Sequence, residues 1–210
     1  MTVVALVLAA GSSRRMGQPK ALLPIGDETF LARIVRILRE GGADTVAVVV
    51  GGDHRPEIEA AARALSPEVT LVANDDPGDG PVSSVRRGVE AHRAATGFLI
   101  QPVDVPGIEA ADVRALLGAV GDDSRGRVDA FVPSVDMRRG HPLFLRARAA
   151  RRLIEGEGAK LASVRALLAL EDLELAYVVR ENRGLLRDYD TPADLAREAN
   201  EARPPNDQSG

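Results

Sequence analysis

Residues 6 to 24, LVLAAGSSRRMGQPKALLP, place three cations and two glycines in the segment that follows the first apolar run of the chain. The cations are Arg14, Arg15 and Lys20, and no acidic side chain accompanies them within this stretch. An arginine can bind phosphate oxygens through a bidentate fork, whereas a lysine acts as a point charge. A glycine-rich loop with this charge therefore suits a small polyanion such as a triphosphate.

The glycine spacing does not fit either of two common phosphate-binding loops. A P-loop has four residues between its glycines and then Lys-Ser or Lys-Thr, whereas five residues separate Gly11 from Gly17 and Lys20 follows a proline. A dinucleotide-binding loop has the pattern G-x-G-x-x-G, whereas Gly11 is followed by two serines and two arginines. A nicotinamide-dependent dehydrogenase is therefore the least favoured enzyme class, and the sequence indicates a longer loop that wraps a triphosphate.

The composition restricts the protein to a few classes. Because 45% of the 210 residues are hydrophobic, 3% are aromatic and none is cysteine, we expect an aliphatic core without disulfides or thiolate metal sites. The net charge of −4 argues against a nucleic-acid partner. No apolar window approaches the roughly 18 residues of a membrane span. We expect a cytoplasmic protein that binds neither nucleic acid nor a membrane.

Apolar runs of strand length alternate with helical patterns along much of the chain. The strand-like runs are Val3–Leu8, Val46–Val50, Val69–Val72, Phe98–Ile100, Val128–Val132 and Leu173–Val179. The helical patterns are residues 30–38, Pro56–Leu65, Val82–Ala95 and Ala110–Val120. This order predicts an α/β fold with a doubly wound, mostly parallel sheet, in which ligands bind beyond the carboxyl ends of the strands.

The last third of the chain has a different pattern. The turn-rich stretch MRRGHPLFL precedes two short helical segments at Ala147–Ile154 and Ser163–Leu170, which together predict a small C-terminal lobe of the same domain. A threonine N-cap, a proline at the first helical position and an acid at the third predict a final helix at Pro192–Ala202. We therefore expect one domain over residues 1–202 and a disordered polar tail over residues 203–210.

The opening stretch closely resembles the signature L-A-A-G-x-S-x-R-M-G-x-x-K-x-L-L of nucleotidyltransferases with a Rossmann-like fold, the nucleotide-diphospho-sugar transferase type. Four later segments extend this resemblance over most of the chain: GPVSSVRRG at residues 80–88, QPVDVP at 101–106, GHP at 140–142 and DYDTPADL at 188–195. Among the subfamilies, the chain is most similar to the molybdenum cofactor cytidylyltransferases. The first motif is specific for the superfamily, and the others gain weight from their order.

The resemblance implies a role for each residue that matches a motif of the nucleotide side. The residues implied to line the base and the ribose are Leu8, Ala9, Ala10 and Gly11, and those implied to bind the phosphates are Ser13, Arg15 and Lys20, of which Arg15 and Lys20 are also catalytic. Ser83 and Ser84 would lie at the start of the third helix, near the base.

The resemblance also implies a metal site and an acceptor side. Asp104 would be catalytic and a Mg²⁺ ligand, and Asp190 would be the second carboxylate, with Asp188 as its rival for that role. His141 would face the acceptor substrate. A phosphate monoester is already mostly ionised at neutral pH, so the chemistry needs positioning and charge neutralisation and no general base.

The activity implied by the resemblance is transfer of CMP from CTP to a phosphorylated small molecule, with molybdenum cofactor as the favoured acceptor and pyrophosphate as the product. Ala10 favours CTP, because relatives that use GTP carry Leu-Ala-Gly-Gly, where a missing methyl group admits the larger guanine. Ala10 does not distinguish cytosine from uracil. Two alternatives stay open: a sugar-phosphate or other metabolite nucleotidyltransferase, and a non-catalytic chaperone that passes molybdenum cofactor to a molybdoenzyme.

Overall fold

The strands and helices follow the apolar pattern of the sequence. The computed structural model describes residues 1–11, 17–65, 69–191 and 193–195. Its strands are β1 (Val3–Ala9), β2 (Pro24–Ile25), β3 (Glu28–Thr29), β4 (Thr45–Val50), β5 (Val69–Ala73), β6 (Gly97–Pro102), β7 (Ala130–Val135), β8 (Arg138–Arg139), β9 (Leu143–Arg146) and β10 (Leu175–Val179). Its α-helices are α1 (Phe30–Glu40), α2 (Arg55–Leu65), α3 (Pro81–Ala91), α4 (Ala110–Asp122), α5 (Ala147–Arg151) and α6 (Val164–Leu167).

The main sheet is mixed but mostly parallel, as the alternation of strands and helices predicted. Its strand order is β10-β7-β9-β6-β1-β4-β5, with β8 paired to β7, and β2 and β3 form a separate hairpin. The four strands β6, β1, β4 and β5 are parallel neighbours, and β10 is parallel to β7. Strand β9 runs antiparallel between β6 and β7.

Helices cover both faces of the sheet, which confirms the doubly wound architecture. Strand β1 is buried on both sides, with Ala5 and Val7 in one apolar cluster and Val4 and Leu6 in the other. Helices α1, α2 and α4 contribute to the first cluster, and α3, α5 and α6 contribute to the second. A nearly continuous aliphatic strand is what a parallel sheet covered on both faces requires.

The stretch interpreted as turn-rich contains a central strand that the sequence pattern did not predict. Gly140 and Pro142 interrupt the stretch, and the apolar run that follows is only Leu143, Phe144 and Leu145. Inside the sheet, however, Phe144 and Leu145 are completely buried between two longer strands. A strand this short is stabilised by pairing with β6 and β7, and its own sequence is too short to show a strand pattern.

The helices near the C-terminus are shorter than predicted. Helix α5 ends at Arg151 and helix α6 covers only Val164–Leu167. Of the predicted final helix, residues 193–195 are helical. Pro192, residues 196–202 and the predicted tail lie outside the described residues.

Candidate active site

A cleft of about 510 Å³ opens beyond the carboxyl ends of β1 and β6. Its walls combine the end of β1, the start of α3, the loop after β6 and a segment close to the C-terminus. The lining residues that the sequence singled out are Leu8, Ala9, Ala10, Gly11, Lys20, Ser84, Asp104 and Asp190. The fold thus brings most of the predicted site residues to one place, where parallel sheets commonly bind their ligands.

Two carboxylates converge on one ammonium group in this cleft. Lys20 Nζ donates to Asp104 Oδ2 at 3.0 Å and to Asp190 Oδ1 at 2.6 Å. The Lys20 side chain is 14% exposed, whereas those of Asp104 and Asp190 are 30% and 43% exposed. Burial alone would lower the pKa of Lys20, but its hydrogen bonds and its attraction to the two carboxylates outweigh burial and raise that pKa. Lys20 is therefore a protonated cation at neutral pH.

Gln101 positions the loop that carries Asp104. This side chain is fully buried at the end of the apolar strand β6. Its Nε2 donates to the carbonyl oxygens of Pro102 and Val105, at 2.8 Å in both cases. The two bonds fix the backbone on either side of Asp104. We did not predict this role, although a polar residue at the end of a wholly apolar strand was the signal for it.

The segment that carries Asp190 is anchored from two sides. Tyr189 is 1% exposed, donates its backbone N–H to the Asp104 carbonyl at 2.9 Å and packs edge to face on Phe30, with 5.3 Å between the ring centroids. On the other side, Asp194 Oδ2 accepts hydrogen bonds from the backbone N–H of Asp190 and from both the N–H and hydroxyl of Thr191. The predicted capping arrangement therefore also serves the site, because it holds Asp190 beside Lys20.

Asn74 organises the wall that the two predicted serines share. Asn74 is 1% exposed, and its Nδ2 donates to Ser83 Oγ at 2.9 Å and to Ser84 Oγ at 3.0 Å. Ser84 lines the cleft, whereas Ser83 donates to the Gly80 carbonyl and lines an adjoining hollow of about 430 Å³. The sequence did not identify Asn74, which follows β5 in a stretch of turn-forming residues.

Ala10 is part of the same wall. Ala10 is 4% exposed, and a Cβ built on Gly51 would stand 3.2 Å from the Ala10 methyl and would overlap the Asn74 carbonyl oxygen. Only a glycine at position 51 allows the ends of β1, β4 and β5 to approach this closely. The Ala10 methyl group therefore packs closely against the Gly51 backbone.

His141 is close to the carboxylates but does not line the cleft. Its backbone N–H donates to the Leu185 carbonyl, and its bond to Pro142 is cis. Burial lowers the pKa of His141, opposed by the charges of Asp104 and Asp188 and by a hydrogen bond to the Ile100 backbone. Within the described part of the chain, its buried Nδ1 has no hydrogen-bond partner. Burial therefore favours the neutral form of the His141 imidazole.

Asp188 faces a different hollow from Asp190. It is exposed and lines a polar depression of about 760 Å³ together with Arg33, Arg183 and Arg187. Asp190, two residues further along, is the carboxylate that reaches Lys20. Of these two rivals, Asp190 is the one that the fold directs into the cleft.

Two of the predicted phosphate ligands cannot be placed. Ser13 and Arg15 lie outside the described residues, as does Arg14. Gly11, directly before this gap, lines the cleft, and so does Lys20, four residues after the gap. The chain segment that contains the predicted ligands therefore has one described residue at the cleft on each side of it.

The donor set of the cleft fits a hard divalent cation. One carboxylate oxygen of Asp104 and one of Asp190 point toward the same position, which the Lys20 Nζ atom occupies. Among residues 1–11, 17–65, 69–191 and 193–195, no group of three or more His, Cys, Asp or Glu side chains is arranged to hold a metal. Mg²⁺ is commonly held by one or two carboxylates, with substrate phosphates and water completing its shell. The two carboxylates in this cleft match that pattern.

None of the helices in the described residues is both long and apolar enough to cross a membrane.

Comparison with known proteins was consistent with this geometry. Residues 5–176 match the sequence profile of the MobA-like NTP transferase domain. A probable molybdenum cofactor guanylyltransferase from Opitutus terrae is 32% identical over 197 residues, which cover 91% of this chain and 92% of the relative.

Solved structures share the fold of this chain. The protein Rv0371c from Mycobacterium tuberculosis H37Rv superimposes with a TM-score of 0.77 at 26% identity, over 95% of this chain and 99% of that one. A second structure of Rv0371c is a complex with manganese, and superimposes with a TM-score of 0.72 at 26% identity, over 94% of this chain and 97% of that one.

Proposed function

The chain belongs to the MobA-like NTP transferase family, and from this premise we propose that it transfers a nucleoside monophosphate to molybdenum cofactor. A phosphate oxygen of the acceptor attacks the α-phosphorus of a nucleoside triphosphate. The bond from that phosphorus to the bridging oxygen breaks, and pyrophosphate leaves with the electron pair. The observation that carries the proposal is the cleft in which Lys20 and two carboxylates converge. The name of the relative from Opitutus terrae supports the choice of acceptor.

Each residue of the cleft has a role in this proposal. Leu8, Ala9 and Gly11, at the end of β1 and the start of the following loop, line the binding site of the base and ribose. Lys20, together with Ser13 and Arg15 from the neighbouring loop, holds the triphosphate and stabilises the leaving pyrophosphate. This cationic arrangement is suited to a reaction that needs positioning and charge neutralisation more than proton transfer.

The proposed metal ligands are Asp104 and Asp190. Mg²⁺ bound there would neutralise charge on the phosphates as the α-phosphorus reacts. The manganese complex of Rv0371c supports a divalent ion in this fold. His141, which lies near Asp104, is proposed to face the acceptor. We further propose that residues 1–202 form the catalytic domain.

For the nucleotide base we propose cytosine. Ala10 lines the cleft, and its methyl group lies next to Gly51. A pyrimidine needs less room there than a purine. Guanine is the second candidate, because the relative from Opitutus terrae is described as a guanylyltransferase.

Titration calorimetry with CTP, GTP, UTP and ATP, each with and without Mg²⁺, tests the nucleotide. We expect Mg²⁺-dependent binding with CTP preferred, and we expect Ala10→Gly to improve GTP binding more than CTP binding. Preference of the wild-type protein for GTP would overturn the cytosine assignment and retain the transferase. UTP preference together with turnover of sugar phosphates would instead favour a sugar-phosphate transferase.

Pyrophosphate release with molybdenum cofactor as acceptor tests the catalytic assignment. We expect Asp104→Asn to lower turnover at least about a hundredfold, on the order of 3 kcal/mol of transition-state stabilisation. Asp188→Asn is the matched control, because Asp188 is exposed and lines the other hollow. Equal activity of Asp104→Asn and the wild type would refute the role of Asp104. Nucleotide and cofactor binding without any pyrophosphate release by the wild type would favour a chaperone that serves a molybdoenzyme.

A further inference from the structure

Strand β10 is an open edge of the main sheet in the described part of the chain. It pairs with β7 on one side and has no strand on the other. The Glu174 carbonyl and the Arg180 N–H both bond toward the β7 side. Because backbone groups alternate in direction along a strand, Leu175, Tyr177 and Val179 direct their N–H and C=O groups outward. The edge therefore offers three donors and three acceptors in a row.

This edge lacks the features that usually protect an exposed strand. The sequence of β10 is LAYVV, without a charge, a proline or a glycine. Tyr177 is 49% exposed and Val179 is 80% exposed, although both are large apolar residues. Natural proteins commonly protect edge strands with lysine, proline or a bulge, because an unprotected edge pairs with another strand. A covered edge is therefore the expected state of β10.

The sequence around β10 is complementary to itself when two copies run antiparallel. If Tyr177 lies opposite Tyr177 of a second copy, Leu175 lies opposite Val179 and Ala176 lies opposite Val178. Every outward-directed residue then faces another outward-directed residue, which is the arrangement that lets each pair exchange two hydrogen bonds. The aromatic and aliphatic side chains on one face form continuous cross-strand pairs.

The charges that flank the strand fit the same register. Glu174 is exposed at one end of β10, and Arg180 is partly exposed at the other. With Tyr177 on the two-fold axis, each Glu174 lies opposite Arg180 of the second copy, so opposite charges face each other at both ends. Within its own chain, Arg180 also donates to the buried Asp112 at 2.9 Å. Shifting the register by one pair places Arg180 opposite Asp172 in one direction and opposite Ala176 in the other. Only the alignment centred on Tyr177 pairs all three outward-directed residues of β10 with one another.

We propose that two copies of this chain associate through antiparallel pairing of β10, centred on Tyr177, to form one continuous sheet across the dimer. The occupant of the open edge is a second copy because the edge is complementary to itself in hydrogen bonds, apolar side chains and charge. The active-site cleft is lined by none of the β10 residues. Nucleotide binding therefore reports independently on whether a variant is folded.

Sedimentation velocity gives the first test. We expect the wild type to sediment as a species of about 44 kDa, twice the chain mass of 22.2 kDa. Val179→Lys should produce monomers at the same concentration, because a charged residue replaces one member of two apolar pairs. Met137→Lys is the matched control: Met137 is 97% exposed but lies on the β7–β8 hairpin, so this variant should stay dimeric. A monomeric wild type at about 100 μM, or a dimeric Val179→Lys, would overturn the proposal.

Cross-linking tests the register, because the chain contains no native cysteine. Tyr177→Cys would place two thiols opposite each other across about 5.5 Å between Cα atoms, a separation that a disulfide spans. Val179→Cys would place its two thiols four residues apart along the strands, about 13 Å, which a disulfide cannot span. We expect covalent dimers from the first variant only. Equal cross-linking of both variants, or none in Tyr177→Cys, would refute the pairing.

Discussion

Replacing Lys20 with methionine separates the charge of this residue from its apolar stem. Methionine keeps a similar length and the buried hydrocarbon contacts but removes the ammonium group. The structure then loses bonds of 3.0 and 2.6 Å to Asp104 and Asp190. Hydrogen bonds to charged groups contribute about 1.5 to 3 kcal/mol when they are buried, and exposed ion pairs contribute about 0 to 1 kcal/mol.

The Lys20 pairs lie between these limits, because the two carboxylate side chains are 30% and 43% exposed. We expect Lys20→Met to lower the free energy of unfolding by about 1 to 2 kcal/mol in total, measured by urea denaturation at pH 7.5 in EDTA. The chain provides a matched control in its other lysine. Lys160 is 75% exposed and pairs with Glu157, which is 88% exposed, so Lys160→Met should change the unfolding free energy by less than about 0.5 kcal/mol.

The metal affinity of the same variant should change in the opposite direction to its stability. Lys20 holds a positive charge at the point where the two carboxylates converge, and that charge repels a divalent cation. The repulsion between a divalent cation and the Lys20 ammonium group at a separation of about 4 Å is about 2 kcal/mol in water, and salt reduces this value. Without nucleotide, Lys20→Met should therefore bind Mn²⁺ about five to thirty times more tightly by paramagnetic resonance titration. Its turnover should fall, because Lys20 is proposed to hold the triphosphate.

The pH dependence gives a further check on Lys20. The folded protein raises the pKa of Lys20 above its ordinary value of 10.5. The stability that comes from protonated Lys20 is therefore complete below pH 10.5 and is lost as the pH rises through the higher folded pKa. The stability difference between wild type and Lys20→Met should stay constant from pH 7 to 9 and shrink above about 10.5. Weaker Mn²⁺ binding by the variant, or unchanged stability, would refute the description of this cluster.

Two other variants test how the site and the fold are held. Gln101→Leu removes the donor to the buried Val105 carbonyl and one of two donors to the Pro102 carbonyl, which also accepts the Val105 N–H. The variant should therefore cost about 1 to 2 kcal/mol of stability and reduce turnover by displacing Asp104. Urea denaturation and pyrophosphate release would measure both effects, and normal turnover would argue against a positioning role. In Asp123, hydrogen bonds from the Val128 N–H and neighbouring groups, with Arg146 among them, outweigh burial and lower the pKa. Asp123→Asn should therefore unfold at lower urea concentration than wild type at pH 7, and the gap should close as the pH falls below about 3.8. A gap that is the same at pH 7 and pH 3 would contradict this.

The parallel half of the fold was predictable because its strands are buried on both faces and are therefore aliphatic along their whole length. The run at Val46–Val50 has no polar interruption, and the structure buries all five side chains. Strand β9 was missed for the opposite reason. Its buried run is three residues long and follows a proline, so it acquires strand structure only from β6 and β7 on either side.

Only the candidate site residues that belong to recognisable sequence motifs could be predicted. The glycine-rich stretch was identified by residue type and spacing, and Asp104 was identified through the family resemblance. The supporting residues were not, because Gln101 and Asn74 act through backbone carbonyls and hydroxyl groups that only the folded chain brings near them. For Asp190 the sequence left Asp188 as a rival, and the packing of Tyr189 between them determines which carboxylate reaches the cleft.

The three members of the charged cluster come from distant parts of the chain, with Lys20 separated from Asp104 by 84 residues and from Asp190 by 170. Their convergence depends on the segment near the C-terminus returning to the end of β6, where the Tyr189 N–H bonds the Asp104 carbonyl. Tyr189 belongs to a small apolar cluster with Leu23 and Phe30, separate from the two main clusters. Leu23 follows Lys20 by three residues, so one cluster positions both the lysine and the second carboxylate. The convergence of the site therefore depends on the packing of this third cluster.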